Sequence, residues 1–320
     1  MTRQGKRAGF APGFSTENAV PHAHHRDAEF HHHHSHASTS HHPGDHHLLA
    51  IEHLTVSFDM YDSDAPFFAA ERRSHERLHG LSLSVHEGEV LAVVGASGSG
   101  KSLLADAIMG LYEPNVRVTG TIWFDGKLLD AKKLSQLRGR GISFVPQSVE
   151  HLDPLMRVGD QMIGACARAD RERRRQRMRA LMEAYGLDAS VERMYPYELS
   201  GGMARRVLLI CVLMDEPRLI VADEPTPGLD LDIAVHAVED LRTFADGGGG
   251  VLLITHDIDL ALTVADRVAV FHGGTIVEET SASSFASPDT LRHPFSRALW
   301  RAMPQHGFAV PDGSANGGCA

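Results

Sequence analysis

Apolar residues in this chain come mostly in short runs closed off by glycine, and one long block departs from that rhythm. Glu89–Val94 lies between Gly88 and Gly95 and is apolar after its first residue, the pattern of a strand buried on both faces. Ile142–Val145, Leu219–Ala222 and Val251–Thr255 repeat it. Helical spacing over Ser102–Leu111 follows the first run, and helices also follow the last two. Val268–Phe271 and Thr275–Glu279 flank Gly273-Gly274 and predict a hairpin. Ile51–Phe58 alternates as an edge strand, with Leu81–Val85 as its partner and Asp59–Gly80 as a long polar connection. Thr121–Phe124 adds a further short strand. From Val158 to Arg206 the period is helical, with breaks at Gly186 and Pro196. Strands alternating with helices predict an α/β core on a parallel sheet, with the helical block inserted into it.

Composition sets bounds on this picture. The 320 residues are 42% apolar, enough for a sizeable core. A formal charge of −10 argues against nucleic acid as a general partner. The basic run Arg168–Arg179 reads as the solvated face of a helix. Cys166, Cys211 and Cys319 form no paired spacing, so no disulfide framework is expected, which suits a reducing compartment. No stretch approaches the roughly 18 apolar residues of a spanning helix, and the basic N-terminus is not followed by a signal-peptide core. Residues 1–47 read as a disordered tail with 12 histidines between His22 and His47. The densest cluster is His31, His32, His33, His34 and His36, a set of imidazoles suited to Ni²⁺, Zn²⁺, Co²⁺ or Cu²⁺. The tail also reads, more plainly, as a solvated low-complexity extension. Order is expected from Leu48, with one domain over 48–285, its helical part at about 150–206, and an extension over 286–320.

Two motifs carry chemistry directly. Gly95-Ala-Ser-Gly-Ser-Gly-Lys101-Ser102 sits between a buried strand and a helix, the context of a phosphate-binding loop. Gly95, Gly98 and Gly100 let backbone N–H groups turn inward around phosphate oxygens, Ser97 and Ser99 are ATP-binding positions between them, and the helix start adds its positive dipole end. Lys101 brings a mobile charge to the β/γ-phosphates, and the Ser102 hydroxyl a hard oxygen for Mg²⁺. Leu219-Ile-Val-Ala-Asp223-Glu224 is an apolar strand ending in two acids. Asp223 is placed to hold Mg²⁺, directly or through water, and Glu224 to orient or deprotonate an attacking water.

Leu199-Ser200-Gly201-Gly202-Met203 resembles the signature motif of ABC ATPases, with Met203 where glutamine is usual. The resemblance covers about residues 48–305. It implies a P-loop NTPase core with an antiparallel β subdomain and an inserted α-helical subdomain. It also implies that the signature acts in trans, on ATP held by a second subunit. By the same resemblance Gln147 is the Q-loop glutamine that reports Mg²⁺ and faces a transmembrane subunit. Asp230, in Pro227-Gly-Leu-Asp230, belongs to the dimer-interface D-loop, and His256 is the switch histidine near the γ-phosphate. Phe58 is the best match for the aromatic residue that stacks on adenine, with Tyr61 second. An isolated aromatic at such a position packs into a core more often than onto a base.

The stretch Ser148–Gln161 and the element His293-Pro-Phe-Ser-Arg-Ala-Leu-Trp-Arg-Ala-Met-Pro304 resemble the peptide/nickel branch of ABC importers. The Gly95–Ala105 form of the loop and Pro227-Gly228 look closer to its nickel members. Cys319 alone lies where peptide members often carry an iron–sulfur cysteine cluster, so no cluster is expected. The expectation is therefore an ATP-hydrolysing subunit for nickel or a related metal, using ATP and Mg²⁺. A dipeptide or oligopeptide importer ATPase is the alternative, and a soluble ABC ATPase outside any transporter stands behind both. The implied partners are permease subunits, a second and different ATPase subunit, and an extracytoplasmic binding protein. The implied location is the cytoplasmic face of the cell membrane.

The tail generates the first prediction. A chain lacking residues 1–47 hydrolyses ATP as the full chain does but loses Ni²⁺ or Zn²⁺ uptake measured by calorimetry. In the full chain that uptake fades below pH of roughly 6.5, where imidazoles protonate. Equal metal uptake with and without the tail would end the idea.

Overall fold

Hydrogen bonding between parallel strands organises the molecule. A computed structural model describes residues 47–61 and 72–304. The expected metal-binding cluster at His31–His36, with the rest of residues 1–46, lies outside the described residues, as does Cys319. Two sheets are present. In the first, β1 (His47–Tyr61) pairs antiparallel with β2 (Arg72–His86) and with β4 (Val116–Phe124), which also pairs with the short β5 (Lys127–Leu128). In the second, the order is β10-β9-β3-β8-β7-β6. There β3 (Val90–Val94), β6 (Ile142–Val145), β7 (Leu219–Asp223), β8 (Gly250–Thr255) and β9 (Arg267–His272) run parallel. β10 (Thr275–Ser281) returns antiparallel through the Gly273-Gly274 turn.

The continuous apolar runs have a simple cause. Alternate residues of each central strand feed different cores. Val90, Ala92 and Val94 face the core shared with the helical arm, while Leu91 and Val93 face the core shared with the antiparallel sheet. β7 and β8 divide in the same way, so each is buried on both sides.

The antiparallel sheet departs from expectation in two ways. β1 is an inner strand, and the edge belongs to β2. Strands also occupy much of the polar stretch expected to be a connection, since Phe58 pairs with His75 and Ser57 with Glu76. Side chains over Arg73–Arg77 are exposed, so this ribbon rests on ladder hydrogen bonds and has no apolar alternation to betray it.

Helix α1 (Lys101–Met109) ends at Gly110, whose φ of 62° closes the last turn. The short α2 (Ala131–Leu137), which the periodicity misses, is capped by Asp130 accepting from Lys133 N–H. The arm consists of α3 (Val158–Ile163), α4 (Arg171–Ala184) and α5 (Gly201–Met214), with two 3-10 turns between α4 and α5. The basic run on α4 is ion-paired within the arm. Arg175 and Arg179 share Glu192, Arg174 reaches Asp215, and Arg177 reaches Glu216. Helices α6 (Leu231–Asp246), α7 (Ile258–Leu262) and α8 (Pro294–Arg301) complete the core.

Tyr185, at the end of α4, is fully buried and donates its hydroxyl to Asp240 on α6, tying the arm to the sheet domain. Tyr185→Phe deletes that bond and leaves the half-buried Asp240 carboxylate with His236 at 3.7 Å beside it. It is expected to cost about 1–2 kcal/mol, seen as a lower urea midpoint at unchanged slope.

Candidate functional site

The buried strand β3 delivers the chain to Gly95 at the sheet's C-terminal edge. A Cβ there would lie 2.3 Å from the Phe271 carbonyl oxygen, so the position admits only glycine. Gly98 and Gly100 turn the loop with φ of 72° and 102°, and α1 begins at once. Lys101 is buried, and its ammonium donates to the Gly95 and Ala96 carbonyls at 2.9 Å each. Burial holds its pKa below the ordinary lysine value, against the pull of Glu224 and Asp223. The Ser99 hydroxyl is buried with no hydrogen-bond partner among the described residues. Ser97 and Gly98 are exposed on the loop's outer turn. A glycine-turned loop, a helix start and a cation together have the makings of an anion cradle.

Two strand ends bring the acids to the same edge. Asp223 closes β7 and is buried, and its Oδ1 has no hydrogen-bond partner among the described residues. Burial pushes its carboxyl up to about 6, helped by the charges of Glu224 and Asp106 and opposed by Ser102 and Lys101. Ser102 lies 3.4 Å from Gln147 Oε1 as well as within hydrogen-bonding reach of Asp223. Oxygens from α1, from the loop after β6 and from the end of β7 thus meet in one cleft of about 430 Å³. Asp106, His151 and Arg205 line it too.

Glu224 is buried and sits at φ 49°, a left-handed conformation that costs a non-glycine residue roughly 1 kcal/mol or more. Its N–H donates to the Ile254 carbonyl at 2.8 Å, which pins it beside β8. His256 Nδ1 donates to Glu224 Oε2 at 2.8 Å, and the Thr255 hydroxyl lies 3.3 Å from the same oxygen. Glu224 and His256 are therefore in direct contact within one chain.

The signature segment forms no hydrogen bond with the phosphate loop among the described residues. Ser200 caps α5 by accepting from Met203 N–H at 3.2 Å, and Ser200 and Gly201 are exposed. Gly202 lies against Gly228, where a Cβ would come within 3.3 Å of the carbonyl. Leu199 and Met203 pack against the arm's core, which gives an apolar residue at 203 a role. Asp230 is exposed at the N-cap of α6. Phe58 is half-buried and lines a mostly apolar cavity of about 220 Å³ with Leu103, Ala107 and Tyr112. It packs against the core cluster that contains Leu104 and Ile108 of α1.

Sequence reasoning passed over Arg205, Asp106 and His151. The one signal for Arg205 was a pair of arginines inside an otherwise apolar helix.

Comparisons with known proteins agree with this geometry. Residues 78–227 match the family of ABC transporters. The oligopeptide transport ATP-binding protein OppD of Lactococcus lactis subsp. cremoris (strain SK11) is 36% identical over 249 residues, covering 74% of this chain and 73% of that one. The dipeptide transport ATP-binding protein DppD of Escherichia coli (strain K12) is 35% identical over 270 residues, covering 81% and 79%. The dimeric ABC transporter cassette MJ0796 superposes with a TM-score of 0.61 at 25% identity, over 73% of this chain and 98% of that one. A post-hydrolysis dimer of the same cassette, bound to ADP and Pi, gives 0.60 at 25% identity over the same shares.

The chain belongs to the ABC transporter family as one of its ATP-binding subunits, with the fold of an ABC nucleotide-binding domain. It is an ATPase.

Asp223 generates a stability prediction. Its folded pKa, about 6, stands above the unfolded value of 3.8. The protonated carboxyl therefore contributes stability below pH 3.8, and that contribution is lost as pH rises through 6. Asp223→Asn is expected to melt later than the parent above pH 6 without nucleotide, by on the order of 1–3 kcal/mol. The gap should close near pH 4, and calorimetric scans at the two pH values check it.

Proposed function

We propose that this ATPase powers an importer of peptides, and that Glu224 and His256 run its hydrolytic step. The observation that carries the chemistry is the buried Glu224 carboxylate, held by His256 and Thr255 beside the oxygens of Asp223, Ser102 and Gln147. The phosphate loop Gly95–Gly100 and Lys101 bind the β- and γ-phosphates of ATP. The orphaned Oδ1 of Asp223 and the adjoining oxygens of Ser102 and Gln147 are hard donors that fit Mg²⁺. Those three residues would hold it, and when bound it neutralises charge developing on the transferred phosphoryl group.

Glu224 orients the attacking water and accepts its proton as the oxygen closes on the γ-phosphorus. His256 keeps the carboxylate aimed, and Lys101 draws charge toward the leaving diphosphate. Exposed Ser200, Gly201 and Asp230 serve a second ATPase subunit, whose bound ATP they close over; a different subunit is favoured. Phe58 supplies the stacking face for adenine if its ring leaves the flank of α1.

Names of the curated relatives, oligopeptide and dipeptide transport ATP-binding proteins, support peptide as cargo. They lend nothing to the nickel reading favoured by the loop variant and the histidine tail. Among the described residues no helix is long and apolar enough to cross a membrane. The chain works at the cytoplasmic face of the membrane, where permease subunits connect it to an extracytoplasmic binding protein on the other side.

The test is the complete transporter in vesicles, with native chain and with Glu224→Gln. ATP is expected to bind both, with turnover down by on the order of 10²–10⁴ in the variant. Labelled peptide, and not ⁶³Ni²⁺, is expected to accumulate with the native chain. Near-native turnover in Glu224→Gln would remove that residue from the mechanism, and ATP-driven nickel uptake would return the cargo to metal.

A further inference from the structure

Arg205 stands at a junction that no motif describes. It lies on the second turn of α5, five residues beyond the exposed Ser200 that caps this helix. One guanidinium nitrogen, Nη1, donates to the main-chain carbonyl of Glu224, and the other, Nη2, donates to the main-chain carbonyl of Gln147 at 2.8 Å. A single planar group thus ties together the signature helix, the loop after β6 and the end of β7. The two carbonyls belong to the residue that aims water and to one that faces the metal. Glu224 also occupies a strained left-handed conformation, which persists only where its surroundings over-determine it. Its N–H is held by Ile254 from β8, and its carbonyl by Arg205 from the arm.

Charge supports the same placement. The charges of Lys101 and Arg205 both interact with those of Asp223 and Glu224. Lys101 approaches from the phosphate loop, and Arg205 approaches from the helical arm through the cleft it shares with Ser102 and Asp223. Lysine could not do the same work at 205. A guanidinium presents a rigid fork of donors that can satisfy two acceptors at once, whereas an ammonium is a single mobile point.

We propose that Arg205 is a positioning residue for ATP hydrolysis, which locks the backbone of Glu224 to that of Gln147 and registers both against the signature helix. The proposal rests on the reading of Glu224 as the water-aiming group. Displacement of such a group by about 1 Å costs on the order of 10²-fold in rate without removing any reacting atom. Arg205 touches no reacting atom itself, so its loss is expected in turnover and not in nucleotide affinity.

The full-length chain is compared with Arg205→Lys, Arg205→Gln, Glu224→Gln and the double variant Arg205→Gln/Glu224→Gln. Both Arg205 variants are expected to lower kcat about 10- to 100-fold. KM and the affinity for a fluorescent ATP analogue should stay within about threefold, with any fall in melting temperature no larger than that of Tyr185→Phe. In the double variant the residual rate should equal that of Glu224→Gln, because residues acting through one group are not additive. Full turnover in Arg205→Lys would show that charge alone suffices and overturn the proposal. Parallel loss of ATP affinity and melting temperature would overturn it in favour of a packing role, as would a multiplied loss in the double variant. Near-native turnover in Glu224→Gln alone is a separate result, which would sink the reading of Glu224 whatever the Arg205 variants do.

Discussion

Parallel pairing of β3, β8 and β7 is the constraint on which the site depends. Val94 pairs with Thr255, and Asp223 pairs with Ile254. In that register Gly95, Glu224 and His256 all fall just past the sheet's edge. Three segments far apart in sequence therefore leave the sheet side by side. An open α/β sheet presents its ligand groups at this end because the chain must leave the strands there to reach the helices. A slip of one residue would turn every side chain of a strand into the other core, and the close packing of the two cores opposes it.

The same burial creates the site's electrostatic tension. At the buried end of β7 the charges of Glu224 and Asp106 disfavour ionisation of Asp223. Lys101 and Arg205 offset that crowding from opposite sides. An anion cradle and an acid pair left side by side are suited to a ligand that carries its own countercharges, as a magnesium nucleotide does. Stability is given up at Asp223, and a poised site is the usual setting for such a concession.

The helical arm shares a core with the sheet domain and is tied to it by directed hydrogen bonds as well. Arg205 and Tyr185 both cross the boundary, and each ends on an oxygen of the sheet domain. Arg206 donates to the Tyr185 and Gly186 carbonyls, so neighbouring residues of α5 hold both junctions. A movement of the arm would therefore be felt at Glu224 through hydrogen bonds rather than through loose packing.

Much of this could be read along the chain. Buried strands, the phosphate loop and the acid pair are local, because glycine, lysine and carboxylate must stand at short fixed spacings to do their work. Two-sided burial makes the central strands continuous apolar runs, so Ile142–Val145 was legible to the residue. The ribbon over Arg72–Gly80 was not, because its cohesion lies in ladder hydrogen bonds that leave no side-chain pattern. Nor could sequence place the ring of Phe58, which packs beside α1 only once β1, β4 and α1 have come together. Arg205 is the clearest case. Its two acceptors are main-chain carbonyls 58 and 19 residues away, and a carbonyl has no letter in a sequence. Side-chain identity and local spacing determined what chemistry this chain can perform. Only tertiary packing decided which backbone groups hold that chemistry in place, because every residue carries the same carbonyl and the fold alone selects which ones meet.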